Sequence, residues 1–225
     1  MTQVNRTKRK RLLAIVRERL SAHYPEAKCA LNYEGDPWRL LIMTRLSAQC
    51  TDARVNEICK ELFAKYPDCE ALANADVEDV ARIIRPIGLF RMKAANIVDA
   101  SREVLLRFGG RVPSSMDELL SLPGVGRKTA NLIIGDIYEG PAVVCDTHFM
   151  TVFARLGMYP EKLRDADKIE KIMRDTDEFL DGAELCHRVV TFGREVCTAR
   201  SPLCGSCPLS DICRHRLGKE AELDE

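Results

Sequence analysis

No stretch of the 225-residue chain approaches the roughly 18 consecutive apolar residues that a membrane-crossing helix needs. The N-terminus lacks an apolar segment ending at a small-residue cleavage site, so no secretory signal is expected. Charge of one sign is not in excess either. Lys plus Arg and Asp plus Glu number 34 each, so the bulk balance does not announce a nucleic-acid binder. Internal repeats, low-complexity segments and alternating β-branched runs bounded by turns are also missing, and Ala142–Cys145 is the sole candidate strand. These absences point to an all-α fold in the cytoplasm, away from membranes. Without export, the ten cysteines are expected as reduced thiols or metal ligands, not disulfides.

Charge is unevenly placed. Residues 1–20 hold seven basic side chains (Arg6, Lys8, Arg9, Lys10, Arg11, Arg17, Arg19) against Glu18, while residues 161–184 and the last seven residues are net acidic. The basic end suits a phosphate backbone or a solvated helix start equally well. Leu12, Leu13, Ile15, Val16 and Leu20 recur at helical spacing, which predicts a folded amphipathic helix there. Helices are likewise predicted over Trp38–Ser47, from Thr51-Asp-Ala onward, over Leu72–Ile84 with Asp76 as an internal cap, and over Lys93–Phe108. The pattern resumes at Thr147–Leu156, Ala166–Thr176 and Glu184–Arg194, then is lost in the cysteine-rich segment 197–213.

The stretch Leu122-Pro-Gly-Val-Gly-Arg-Lys-Thr-Ala130 falls between two helical runs, Ser115–Leu122 and Arg127–Tyr138. The first opens with a Ser115/Glu118 capping box and ends at Pro-Gly. Gly124 and Gly126 permit a tight hairpin and close approach of a ligand to the backbone. The amides of residues 124–127 then stand at the positive end of a helix dipole, an anion site that suits phosphate. Lys128 follows directly. A lysine is a nucleophile only as the neutral amine, and a helix N-terminus with partial burial would favour that form. Asp146 emerges from an apolar run and could take the amine proton, stabilise positive charge on a sugar, or cap Thr147–Leu156.

Cys197-x6-Cys204-x2-Cys207-x5-Cys213 places four thiols in a short loop-rich segment, a metal-ligand set compatible with zinc or an iron–sulfur cluster on spacing alone. The remaining six cysteines fall mostly in helical patterns and are expected as small core residues. Gln49 and Leu89 sit in turns. An enzyme that extracts a base from a duplex needs a polar plug and an apolar wedge, although either residue alone suits an ordinary loop.

Together, LSAQCTD (46–52), IGLFRMKAANI (87–97), LPGVGRKTAN (122–131), CDTH (145–148) and the four-cysteine tail resemble the endonuclease III family of helix-hairpin-helix DNA glycosylases, from about Lys10 to Cys213. The resemblance implies a two-lobed fold with a DNA-binding cleft. A six-helix barrel with the helix-hairpin-helix would span 30–140, and 1–29 with 141–225 would form a discontinuous domain holding a [4Fe-4S] cluster. By motif position Lys128 is implied as the Schiff-base nucleophile and Asp146 as its activating carboxylate. Gln49 and Leu89 become duplex-filling residues, Gly124, Val125, Gly126 and Arg127 the phosphate grip, and Cys197, Cys204, Cys207 and Cys213 the cluster ligands. The cluster would brace a loop presenting Arg200 to phosphate, with Arg214 and Arg216 beyond the last ligand. The implied partner is double-stranded DNA with damaged pyrimidines or abasic sites, bound by a monomer, nucleoid-associated in a bacterium.

Three positions depart from the family pattern: Cys145 replaces an aliphatic residue, Thr151 replaces an arginine, and Gly135-Asp136 interrupts the helix after Lys128. An adenine-mismatch glycosylase shares the cysteine spacing, but such enzymes lack the hairpin lysine and carry a further C-terminal domain, whereas this sequence ends twelve residues after Cys213. A non-catalytic helix-hairpin-helix module that binds DNA structure is the alternative of another class.

Overall fold

The computed structural model describes residues 3–177 and 183–218, with side chains from Arg6 onward. The acidic last seven residues of the chain lie outside the described residues. Among the described residues there are twelve α-helices and no strand, and no helix is long and apolar enough to cross a membrane. The chain divides into two compact units, Cys29–Tyr138 and a second made of 1–28 with 139–225.

The Cys29–Tyr138 unit is organised around α2 (Pro37–Leu46). Asp36 caps it, accepting from Trp38 N at 2.8 Å, and Pro37 occupies the first turn where its missing N–H costs nothing. Leu40, Leu41, Ile42, Met43 and Leu46 are all at most 1% exposed. At roughly 1.5–3 kcal/mol per buried side chain, this helix is the main apolar anchor of the unit. It packs on α3 (Asp52–Lys65), α6 (Phe90–Phe108) and α8 (Arg127–Ile137). The buried Trp38 indole donates to Ser101 Oγ at 3.0 Å, so its polar edge is satisfied.

The run predicted as one helix over Leu72–Ile84 is two, α4 (Cys69–Ala73) and α5 (Val77–Ile83). Asp68 and Asp76 each cap a start, and the Asn74 amide donates back to Glu70 O at 3.0 Å. Side chains that bond their own backbone in this way compete with helix continuation. The helix predicted from Lys93 begins earlier, at Phe90. The capping box forms at α7 (Met116–Leu120): Glu118 N donates to Ser115 Oγ at 3.3 Å, and that hydroxyl donates to Glu118 Oε2 at 2.6 Å.

In the second unit α1 (Gln3–His23) packs on α10 (Ala166–Thr176) and α11 (Glu184–Glu195), and α9 (Thr147–Leu156) packs on α11 and α12 (Arg214–Leu217). Part of the basic N-terminal cluster is consumed internally. Arg9 Nε donates to Met158 O at 2.8 Å, Arg17 pairs with Asp177 at 3.1 Å, and Arg19 donates to Pro208 O at 2.9 Å and pairs with Asp211. These bonds fasten the start of the chain to its distant end, while Lys8, Lys10 and Arg11 stay exposed. Ala142–Cys145 is not a strand. Lacking a partner strand, the run cannot form a ladder, and its Val144 N–H donates instead to Cys186 Sγ at 3.3 Å.

Candidate functional site

The hairpin is set by one turn. Val125 N donates to Leu122 O at 3.1 Å, and Gly124 takes φ 68°, a left-handed conformation that strains any residue with a Cβ. Gly126 caps α8 without a side chain, so the first-turn amides have no side-chain acceptor from the cap and face outward at the positive end of the dipole. Gly124, Gly126, Arg127 and Lys128 are exposed. Val125 corrects the sequence expectation. Its amide is used by the turn and its side chain is only 6% exposed, so it anchors the hairpin in the core and its N–H is not offered to an outside acceptor. Lys128 corrects a second expectation, because it is not partly buried. Its position as the second residue of α8, beside two glycines, is what distinguishes it.

Arg45 of α2 supports the hairpin from below. A Cβ built on Gly124 would lie 1.9 Å from Arg45 Nη2 and 2.4 Å from Cζ, so the guanidinium occupies the space a side chain would need. Burial lowers the Arg45 pKa from its ordinary value, and its buried Nε has no hydrogen-bond partner among the described residues. Gly124→Ala is therefore expected to destabilise the protein by about 1–3 kcal/mol, from positive φ and displacement of Arg45 together. Urea unfolding measures this; a midpoint equal to that of the parent protein would contradict it.

Gln49 and Leu89 both occupy left-handed backbone, at φ 56° and 59°, and neither is a glycine. Gln49 is exposed in the Ser47–Cys50 turn, closed by Cys50 N donating to Ser47 O at 3.1 Å. Leu89, 58% exposed, is the N-cap of α6. Strained, exposed residues of this kind cluster at functional positions. Lys93 bonds the ends of both elements. It is 4% exposed, and its ammonium donates to Leu46 O at 2.9 Å and Ala48 O at 2.6 Å. Arg45 and Lys93 were not predicted as site residues. The available signals were a charge inside the apolar Trp38–Ser47 run and a lysine on the apolar face of α6.

In the second unit Asp146 caps α9, and its Oδ1 accepts from Phe149 N at 2.7 Å. The far end of the same helix holds the cysteine loop. Arg155 Nη1 donates to Cys197 Sγ at 3.3 Å and Thr198 O at 2.9 Å, and Nη2 to Ala199 O at 2.8 Å. Arg155 thus fixes the three residues before the exposed Arg200. Cys197, Cys204, Cys207 and Cys213 line one pocket with Arg155, Leu203 and Arg216, and none of the four is in a disulfide. Cys207 and Cys213 are pushed above the ordinary thiol pKa, chiefly by burial, with the neighbouring thiols adding to the shift. Such a crowd of sulfurs matches what a multi-iron cluster requires of its ligands. Among the described residues no three His, Cys, Asp or Glu side chains are grouped to hold a single metal ion.

The structure places all three departures. Burial pushes the Cys145 thiol up to about 12, which keeps it neutral and apolar in character. The Thr151 hydroxyl donates to Thr147 O at 2.8 Å, within its own helix. Gly135 and Asp136 lie within α8, which runs unbroken from Arg127 to Ile137, and Gly135 is buried.

Comparison with known proteins covers both units. Residues 42–177 match the HhH-GPD superfamily of base excision DNA repair proteins, and residues 197–213 match the iron-sulfur binding domain of endonuclease III. The chain is 43% identical over 191 residues to endonuclease III of Synechocystis sp., covering 84% of this chain and 86% of the relative. With endonuclease III of Escherichia coli K12 it shares 34% over 213 residues, covering 95% and 98%. A solved non-covalent endonuclease III–DNA complex superposes with a TM-score of 0.85 at 37% identity, covering 93% of this chain and 97% of the other. A trapped endonuclease III–DNA covalent intermediate gives 0.83 at the same identity and coverage.

Proposed function

The chain belongs to the endonuclease III family of the HhH-GPD superfamily, and from that premise we propose that Lys128 is the nucleophile and Asp146 the carboxylate that activates it. Its activity is that of a bifunctional DNA glycosylase/AP lyase of base excision repair, and its cofactor is a [4Fe-4S] cluster. The observation that carries the assignment of Lys128 is its exposed place as the second residue of α8, directly after a glycine hairpin with outward amides.

The proposed sequence begins with a DNA phosphate on the amides around Gly124, Gly126 and Arg127, while the damaged nucleotide leaves the stack. Gln49 and Leu89 fill the space it vacates. The Lys128 Nζ lone pair then attacks C1′ of the deoxyribose. The N-glycosidic bond breaks with its electron pair going to the base, and Asp146 takes the amine proton. Ring opening gives an imine, loss of a C2′ proton follows, and the C3′–O bond breaks to release the 3′ phosphate. Proposed substrates are oxidised or ring-damaged pyrimidines in duplex DNA, with the protein acting as a monomer in the cytoplasm, at the nucleoid of a bacterial cell. Borohydride trapping on duplexes carrying thymine glycol, an abasic site or an adenine mismatch tests this reading. An adduct with the first two supports it. Adduct-free base removal from the mismatch would favour an adenine-mismatch glycosylase, and no reaction with any duplex would favour a non-catalytic binding module.

Cys197, Cys204, Cys207 and Cys213 would hold the cluster, and the pocket they line fits that donor set. When bound, the cluster supplies structural bracing of the loop that carries Arg200, through the contacts of Arg155. The purified protein is expected to contain about four irons per chain and to absorb near about 400 nm. Cys204→Ser should lower both the iron content and the thermal midpoint; one zinc per chain would refute the assignment.

A further inference from the structure

Gln49 and Leu89 lie forty residues apart, on separate elements, each with a backbone conformation that its side chain disfavours. Left-handed geometry at a residue with a Cβ persists only where its surroundings fix it. At Gln49 the Cys50 N–Ser47 O bond closes the turn, and one side chain adds two further bonds to it. α2 ends at Leu46, and the Lys93 ammonium donates to Leu46 O at that end and to Ala48 O just beyond it, on either side of Ser47. The second of these carbonyls belongs to the residue immediately before Gln49. At Leu89 the same lysine acts through its main chain, because Lys93 N donates to Leu89 O at 3.0 Å and forms the first bond of α6.

Lys93 is therefore bonded at both ends to the two turns. It is 4% exposed, and among the described residues no carboxylate is bonded to it, so the two carbonyls carry the hydrogen bonding of a buried cation. A charge is not removed from water at such a place merely to fill space, since a methionine would fill it with no desolvation cost. We infer that Lys93 is a positioning residue that couples Gln49 to Leu89, so that the two enter the duplex as one rigid element and not as independent loops. The coupling rests on the proposed role of Gln49 and Leu89 in filling the extruded nucleotide's place.

A double-mutant cycle reads the coupling directly. Gln49→Ala, Leu89→Ala and the pair are made in the parent protein and again with Lys93→Met, and single-turnover base excision from a thymine glycol duplex is measured. In the parent the combined loss should differ from the product of the single losses by about fivefold or more. With Lys93→Met the two losses should multiply independently. Non-additivity of equal size in both backgrounds would overturn the inference. A lysine that serves folding alone would shift stability and leave the non-additivity intact.

Amide hydrogen exchange on the same holoproteins decides the matter even if excision is absent. Exchange at Cys50 and at residue 93 should quicken together in Lys93→Met, beyond any change in the rest of the unit. Acceleration at Cys50 alone would show that the lysine braces one turn only, and would defeat the coupling. Failure of every protein to excise, with joint acceleration of both amides, would reject the duplex-filling role while upholding the tie. If Lys93→Met does not fold, Lys93→Gln, which keeps a donor but cannot span both carbonyls, is read by the same criteria.

Discussion

Lys128→Gln is expected to abolish the borohydride-trapped adduct and to slow strand nicking at an abasic site by roughly 10³-fold or more, while duplex binding changes little. Glutamine retains much of the length and polarity of lysine but has no amine to form an imine. Three features of the structure make the substitution clean. Lys128 is exposed, it makes no ion pair among the described residues, and it begins a helix whose start is set by Gly126. Helix propensity differs little between the two residues, so the thermal midpoint should hold. Lys93 is a poor substitute nucleophile, because its ammonium is buried and bonded to two carbonyls. An adduct of parental yield in Lys128→Gln would move the nucleophile elsewhere and sink the assignment.

What the sequence discloses and what it withholds follow the range of the interactions. The Gly124 turn, the Ser115 cap and the Asp146 cap are local: each is written within four consecutive residues, and each forms. The cysteine spacing is legible for the same reason. Arg45 on Gly124, Lys93 on Ala48 and Arg155 on the 197–199 loop join residues about forty or more positions apart, and spacing cannot announce them. The expected burial of Lys128 failed on a related point. A position two residues into a helix fixes its place on the dipole, but exposure depends on what packs against that face. Of the split between α4 and α5, the Asp76 cap at Val77 was legible and forms; the end of α4 at Asn74, whose amide bonds Glu70 O, was masked by the apolar periodicity running through it.

Asp146 has two candidate roles, and a substitution can separate them. Its Oδ1 accepts from Phe149 N at 2.7 Å as the cap of α9, while among the described residues its second oxygen makes no hydrogen bond. Asparagine caps a helix about as well as aspartate, so Asp146→Asn should change stability by no more than about 0.5 kcal/mol. It cannot accept the Lys128 proton, and its amide carries no charge to oppose a developing cation on the sugar. Excision under single turnover should therefore fall by roughly 10²–10⁴-fold, the range associated with loss of a positioned proton acceptor. Asp146→Ala removes the cap as well and should cost about a further 1 kcal/mol of stability with a similar rate. Because α9 also carries Arg155, loss of the cap would loosen the helix that holds the cysteine loop, and iron content should fall in the alanine variant before it falls in the asparagine one. An Asp146→Asn protein that excises at the parental rate would leave Asp146 as a helix cap and nothing more. A variant that loses stability and activity in equal measure would say the same.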